Sequence, residues 1–409
     1  MHKIIQLKNN ARFIQTNIQH SHIIHCGIMI NSGSRDETKQ NNGIAHFIEH
    51  SVFKGTSKRK SDDILSFIED VGGELNAFTT RERTCYYASC LSEYADRAVD
   101  IICDIAFNAT FPEKEIQKEK KVIIEEIEMY DDTPDESIHD VFYEHLFGKH
   151  SLGFNILGSK KSVNALQKSD IKTFKNQYYV PSNIVLSIAG NLSFSKGEKL
   201  ARKYLSHLDG KNVHEIVRVA PSKLQVFEEF KKTDFTQSHC MIGTMVFGRH
   251  DHRRYALAII NNILGAAGMS SRLNMSVREK HGLTYSISSN YSTYFDTGVF
   301  TIYFACDKKN VNQCRDLINK ELDKLCKQKL SPEQLQKAKL QLMGQSALME
   351  ENHAVKMQLQ ARSLLDFGKY VSYKDFLKKV EKVTAEEIQE ICNSFLRPEH
   401  MSSLIYESA

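Results

Sequence analysis

The chain has 409 residues, more than one hydrophobic core usually supports, so two or more domains are expected. Hydrophobic residues make up 41% of the chain and charged residues 25%, which is ordinary for a soluble globular protein. A net charge of +4 without a dense Lys/Arg stripe argues against nucleic acid as a partner. No apolar run approaches the roughly 18 residues that cross a bilayer, so no membrane partner is expected either.

The cysteines and the N-terminus indicate a compartment. Nine cysteines are scattered between Cys26 and Cys392 without any C-x-x-C pair, a pattern that favours reduced thiols over a disulfide framework. The first residues contain neither a long apolar segment nor an Arg/Ser-rich transit segment. We therefore expect a chain of a bacterial-type cytoplasm, in preference to the mitochondrial matrix.

Three histidines occur early in the chain. His20, His22 and His25 lack the spacing of a regular metal site. We interpret them as the exposed imidazoles of a strand, and their role stays open.

Residues 43–50, with the sequence GIAHFIEH, carry the sharpest chemical signal. On a helix, His46 and His50 are four residues apart, so their imidazoles project from one face. Such a pair can supply two of the three protein ligands of a catalytic Zn²⁺, whose fourth position is left to water. Glu49 is turned about 100° around the helix and can take a proton from that water without being a ligand. A chance match is the alternative, because the chain has 17 histidines.

A strand is predicted over 84–91 and a helix over 94–107, and Pro112 then opens a long helix rich in glutamate. Glu119 and Glu126 are seven residues apart on this helix, two turns, and share a face. The third metal ligand is expected from this helix. An exposed Glu/Lys helix is the alternative for the segment taken alone.

The second half of the chain echoes the first at an offset of roughly 220 residues. The helix opened by Pro112 matches one opened by Pro332, and the strand over 184–189 matches one over 401–406. With a one-residue gap, Glu119 and Glu126 correspond to Ala338 and Gln345, and the second half has no H-x-x-E-H. The carboxylates and the histidines are thus confined to one copy, as expected if only that copy binds metal.

This repeat predicts an α+β fold of two similar domains, each a mixed or antiparallel sheet covered by helices on one side. The predicted ranges are a metal-binding domain over 1–210, a linker over 211–223 and a repeat without metal over 224–409. A further strand is predicted over 298–305.

The H-x-x-E-H motif and its surroundings resemble the pitrilysin-type inverzincin zinc metallopeptidases. The branch most resembled comprises small bacterial processing-peptidase-like proteins and the β subunit of mitochondrial processing peptidase. The resemblance covers nearly the whole chain and is carried by residues 43–56, 72–79, 122–127, 130–135, 269–273 and 277–286.

The resemblance implies roles for individual residues. It implies His46, His50 and Glu126 as ligands of one Zn²⁺, Glu49 as general base and Glu119 as an acidic residue beside the site. It also implies that Arg278 and Tyr285 hold the substrate near the scissile bond, and that Asn76, Ala77 and Phe78 form an edge strand that pairs with an extended peptide.

The function predicted from the sequence is therefore zinc-dependent hydrolysis of extended or unfolded peptides, with presequence-like peptides as one candidate class. Relatives of this length resemble half of a clam-shell and commonly pair, so the resemblance implies a homodimer, with a paralogous partner as the alternative. A catalytically inactive structural or partner subunit of the same fold is the competing functional hypothesis. The preferred peptide sequence and the size limit of the substrate stay open.

Overall fold

The fold is described from a computed structural model, which defines residues 2–210, 216–222, 225–266 and 268–409. The chain forms two compact units. The first unit comprises Met1–Glu128, Phe154–Val217 and Leu348–Val371. The second comprises Met129–Gly153, Arg218–Ala347 and Ser372–Ala409. Part of the predicted linker, residues 211–215 and 223, lies outside the described residues.

The described residues form eleven strands and fourteen α-helices. The strands are β1 (His2–Gln6), β2 (Arg12–Asn17), β3 (Ile23–Ile30), β4 (Glu74–Thr79), β5 (Thr84–Leu91), β6 (Ile184–Gly190), β7 (Glu228–Lys232), β8 (Ser238–Phe247), β9 (Thr284–Thr293), β10 (Thr297–Cys306) and β11 (Ser402–Glu407). The α-helices are α1 (Ile44–Ser51), α2 (Ser61–Glu69), α3 (Ala95–Asn108), α4 (Glu113–Asp131), α5 (Pro134–Phe147), α6 (Lys160–Ala165), α7 (Lys168–Tyr178), α8 (Phe194–Leu205), α9 (Arg254–Leu264), α10 (Val311–Lys327), α11 (Pro332–Glu351), α12 (His353–Phe367), α13 (Tyr373–Glu381) and α14 (Ala385–Phe395). A π-helical turn spans Asn274–Glu279, and the remaining helical segments are short 3₁₀ turns.

The two units share one sheet topology, and this confirms the predicted duplication. The sheet of the first unit has the order β1-β2-β6-β3-β5-β4, and that of the second has the order β7-β11-β8-β10-β9. In each sheet one pair is parallel, β2 with β6 and β7 with β11, and the other pairs are antiparallel. The order is the same strand for strand, apart from the additional edge strand β1.

Helices cover both faces of each sheet, so the prediction of helices on one side was wrong. On β10, Phe300, Ile302 and Phe304 belong to one core, whereas Val299 and Tyr303 belong to another. Successive strand residues point to opposite faces, so both faces of this strand are packed. Helices α9, α10 and α14 contribute to the first of these cores and α5 to the second.

In each unit, the second face of the sheet is covered by a helix that is distant in sequence from the strands it contacts. In the first unit α3 packs on β3 and β5, while α12 packs on β2, β3 and β6. In the second unit α5 plays the role of α12 and packs on β8 and β11. The compact units are consequently discontinuous in sequence. The predicted ranges 1–210 and 224–409 describe the two copies of the sequence repeat, not these compact units, and they stay a prediction. No helix in the described part of the chain is long and apolar enough to cross a membrane.

Candidate metal centre

A glycine and a buried glutamate determine where helix α1 starts. Gly43 precedes it with φ +93°, in the left-handed region, and an added Cβ there would lie 2.7 Å from the carbonyl oxygen of Leu157. The buried carboxylate of Glu37 accepts hydrogen bonds from the backbone N–H groups of Gly43 (2.8 Å) and Ala45 (2.9 Å) and from the side chain of Asn42 (2.9 Å). Glu37 thus satisfies backbone donors that a helix start leaves unpaired, and burial raises its pKa to about 8 against the effect of these hydrogen bonds.

The two histidines of α1 lie side by side on the face predicted from their spacing. Their ring centroids are 4.6 Å apart in an edge-on arrangement. His46 is 7% exposed, whereas His50 is partly exposed. The helix is anchored by its neighbouring residues Phe47 and Ile48, which are fully buried.

Helix α4 brings two carboxylates to this face. Oε2 of Glu126 lies 3.7 Å from Nε2 of His46 and 3.5 Å from Nε2 of His50. Oε2 of Glu119, two turns earlier, lies 3.4 Å from Nδ1 of His50, and its Oε1 accepts an ion-paired hydrogen bond from Nζ of Lys54 at 2.9 Å. The two nitrogens of His50 therefore face different carboxylates.

The dimensions of the cluster fit a four-coordinate cation. With metal–ligand bonds of about 2.0–2.1 Å and tetrahedral angles, neighbouring ligand atoms are about 3.4 Å apart. The distances from Glu126 to the two imidazoles are close to this value, and the three ligand atoms all lie within 4.8 Å of one another. Oε2 of Glu126 is buried without a hydrogen-bond partner, as expected of an atom placed to bind a cation. No other group of three His, Cys, Asp or Glu side chains in the described ranges meets this criterion.

Burial and mutual charge set the protonation of these groups. Burial and the neighbouring His50 lower the pKa of His46 to about 3, so this imidazole is neutral and can act as a ligand. Burial alone would lower the pKa of His50, but Glu119, Glu126 and Glu49 together raise it. Burial raises the pKa of Glu126, against the opposing charge of His50. A divalent cation would compensate for the burial of these carboxylates.

Glu49 lies on the same helix and is not part of the three-ligand group. Burial is the main cause that raises its pKa, and a hydrogen bond from Thr79 opposes the shift. Its Oε2 is buried without a hydrogen-bond partner. A carboxylate in this state is more basic than one in water and can accept a proton from a group bound at the cluster.

Arg278 and Tyr285, predicted to hold substrate, lie together in the second unit. Arg278 belongs to the π-helical turn, Tyr285 is the second residue of β9, and the guanidinium carbon lies 5.1 Å from the ring centroid. Tyr285 is 81% exposed, so its hydroxyl is available to a ligand. A role of this pair near the scissile bond stays a prediction.

The predicted substrate strand is β4, an edge strand that pairs with β5 alone among the described strands. Asn76 is exposed, and its side-chain oxygen accepts a hydrogen bond from the N–H of Ala77 at 2.8 Å. Phe78 packs against Tyr87 with ring centroids 6.1 Å apart. An open edge can accept a further strand, and its pairing with substrate stays a prediction.

The early histidines do not form a metal-type group. His20 and His22 are exposed and precede β3, and His25 in β3 is half-buried, with Nδ1 2.7 Å from Oγ of Ser89. No group of ligands containing them is found in the described part of the chain.

Sequence reasoning assigned no role to Lys54 or Glu37. Lys54 follows His50 by four residues, about one helical turn, and this spacing could have suggested that it shares the surroundings of His50. Glu37 lies seven residues before α1, and only the fold of the intervening loop shows that it caps the helix.

The fold and the cluster define a protein of two similar α+β units with a candidate metal centre, and among the described residues only the first unit contains such a group of three ligands. Residues 12–160 match the family described as Insulinase (Peptidase family M16), and residues 165–342 match the Peptidase M16 inactive domain. The chain is similar to an uncharacterized zinc protease of Bacillus subtilis, with 33% identity over 401 residues that cover 98% of this chain and 97% of the relative. A second, from Rickettsia felis, is 32% identical and covers the same shares. The chain belongs to the insulinase-type peptidase family M16.

Solved structures show the same fold. A protease from Helicobacter pylori aligns with a TM-score of 0.90 at 20% identity and covers 100% of this chain and 99% of its own. A structure from Pseudomonas fluorescens, described as a peptidase M16 inactive domain, aligns with a TM-score of 0.91 at 19% identity and covers 100% and 98% of the two chains. The two-unit architecture is therefore shared over the full length of these proteins.

Proposed function

We propose that this chain is a zinc-dependent endopeptidase or oligopeptidase that hydrolyses extended or unfolded peptides. The observation that carries the proposal is the convergence of His46, His50 and Glu126 at the spacing of tetrahedral ligands. The relatives named zinc proteases supply independent support for the metal and for the reaction class.

His46 and His50 would hold zinc through Nε2 and Glu126 through Oε2, which leaves a fourth position to solvent. When bound, zinc acts as a Lewis acid that lowers the pKa of water and polarises the substrate carbonyl. Glu119 accepts a hydrogen bond from Nδ1–H of His50, and this bond fixes the tautomer and the orientation of that ring. Lys54 balances the charge of Glu119.

Glu49 is the proposed general base. Its carboxylate, whose pKa burial raises, takes the proton of the attacking water and then gives a proton to the leaving amine. The hydrogen bond from Thr79 orients this carboxylate. Helix α1 thus carries the proposed base as well as two of the proposed zinc ligands.

Substrate is proposed to bind as an added strand along β4, at Asn76, Ala77 and Phe78, through main-chain hydrogen bonds. This mode favours extended peptides over folded proteins, because the backbone groups of a folded chain are mostly paired already. Arg278 and Tyr285 are proposed to hold the substrate, with the Tyr285 hydroxyl as a donor to the carbonyl oxygen. Presequence-like peptides remain one candidate class.

The direct test of this function is Glu49→Gln, assayed on a quenched fluorescent peptide. The amide cannot accept the proton, so turnover should fall by a factor of about 10² to 10⁴ while bound zinc is unchanged. Glu69→Gln, an exposed glutamate at the end of α2, is the matched control and should retain activity. Undiminished turnover in Glu49→Gln would exclude the proposed base.

We also infer that the chain pairs with a second copy of itself. The support is the resemblance to small family members that act in pairs. Light scattering on the purified chain alone should give a mass of about two chains, and a monomer that retains full peptidase activity would refute the inference.

A further inference from the structure

The second unit contains a cavity that corresponds in the duplicated fold to the metal centre. It has a volume of about 260 Å³ and lies between α9, α11 and the loop over 268–272. Helix α9 follows β8 as α1 follows β3, and α11 is the counterpart of α4. Ala338 and Gln345, which line the cavity, stand where Glu119 and Glu126 stand in the first unit.

Among the described residues, the lining has the composition of an anion site and lacks the side chains of a metal site. None of its described residues is acidic. Arg272 and Lys337 both line it, and neither forms an ion pair with a described carboxylate. Gln341 and Gln345 add amide groups to the same wall, and Leu330 adds an apolar one. Two cations without a counter-ion favour a negatively charged ligand.

A buried amide gives a second, independent sign that a ligand belongs here. Asn262 borders the cavity from α9 and is 6% exposed. Neither its side-chain oxygen nor its side-chain nitrogen has a hydrogen-bond partner among the described residues. A buried amide without partners is costly, and a peptide group, which offers one donor and one acceptor, is complementary to it.

We propose that this cavity binds the carboxylate-bearing end of a peptide. Arg272 and Lys337 pair with the carboxylate, and the amide side chains, Asn262 among them, satisfy the adjoining peptide group. The carboxylate is either the C-terminal α-carboxylate or an acidic side chain, since both present the same two oxygens to a guanidinium. A volume of about 260 Å³ is below that of sites for drug-sized ligands and suits a short terminal portion of a chain.

This site is independent of the metal centre and of its chemistry. Binding can therefore be measured on the full chain after zinc has been removed with a chelator, which excludes carboxylate binding to the metal. A failure of the proposed peptidase activity would leave this measurement unaffected, and the converse also holds.

The test is ligand-observed NMR or calorimetry with four probes. These are acetyl-Ala-Leu as the free acid, the same dipeptide as its C-terminal amide, acetyl-Ala-Asp amide and inorganic phosphate. The free acid should bind at least about tenfold more tightly than the amide, and binding of acetyl-Ala-Asp amide would identify an acidic side chain as the natural source. The proposal would be overturned if neither carboxylate probe bound more tightly than the acetyl-Ala-Leu amide, or if phosphate bound as tightly as the better carboxylate probe.

Two variants locate the binding. Arg272→Met and Lys337→Met should each weaken the free acid by about tenfold, because each removes a charge-assisted contact. Lys337 is exposed, so Lys337→Met should fold and can test the site even if replacement of the half-buried Arg272 prevents folding. Lys378→Met, an exposed lysine on α13 outside the cavity lining, is the control and should bind as the parent does. Unchanged affinity in Lys337→Met would place the binding elsewhere.

Discussion

Replacing Glu119 with glutamine tests whether this residue supports a metal ligand. Glu119 is 4% exposed, with one oxygen 3.4 Å from Nδ1 of His50 and the other 2.9 Å from Lys54. Glutamine keeps the shape but loses the charge, so it holds the His50 tautomer less strongly and leaves Lys54 without a counter-ion. Loss of such a carboxylate partner of a ligating histidine commonly costs about 10–100-fold in metal affinity. This corresponds to about 1.4–2.7 kcal/mol of zinc binding.

The assay is competition for zinc with a chromophoric chelator at pH 7. Glu125→Gln is the matched control, because Glu125 is an exposed glutamate on the same helix, next to Glu126. Glu119→Gln should show the loss and Glu125→Gln should not. Zinc held as tightly by Glu119→Gln as by the parent would refute the supporting role of this carboxylate.

Four further outcomes are expected. Lys54→Met should weaken zinc binding by a smaller factor than Glu119→Gln, with Lys54→Arg near the parent, since the ion pair with Glu119 needs a positive charge. Glu37→Ala should lower the free energy of unfolding by about 1–3 kcal/mol, measured by denaturant titration, because three donors at the start of α1 lose their acceptor. His46 has a folded pKa of about 3, below its unfolded value near 6.5, so its contribution to stability is present above pH 6.5 and is lost as pH falls toward 3. In that window the metal-free parent should lose up to about 1.4 kcal/mol per pH unit relative to metal-free His46→Gln, so the difference between the two stability–pH curves measures the contribution of His46. Tyr285→Phe should reduce kcat/KM with zinc content unchanged, and equal loss of zinc would instead indicate a structural effect.

Much of the fold could be predicted from local patterns. The strands predicted over 84–91 and 298–305 are β5 and β10, and the helices opened by Pro112 and Pro332 are α4 and α11. The repeat predicted two similar units, because helix starts and strands that recur in the same order at one offset indicate a duplicated domain. The discontinuity of the units could not be predicted. Helix α5 follows α4 in the first half of the sequence and α12 follows α11 in the second, and no local signal shows that each packs on the sheet of the other half.

In the metal centre, too, local spacing predicted some features, whereas others depend on contacts between residues that are distant in sequence. The spacing of His46 and His50 predicted a shared face, and their rings lie 4.6 Å apart. The choice between Glu119 and Glu126 as ligand rested on the family resemblance, because both lie on the same face of α4. Only the fold shows that Glu126 faces both Nε2 atoms while Glu119 faces Nδ1 of His50. The N-terminal cap from Glu37 depends on a loop conformation that no periodicity predicts.

Metal analysis combined with X-ray absorption spectroscopy tests the central claim most directly. The chain purified without added metal should contain one zinc per chain, coordinated by two imidazole nitrogens and oxygen atoms at about 2.0–2.2 Å. Glu126→Ala should lose most of this zinc, whereas Glu49→Gln should keep it. Absence of stoichiometric zinc from the parent chain, or full retention by Glu126→Ala, would contradict the proposed metal centre.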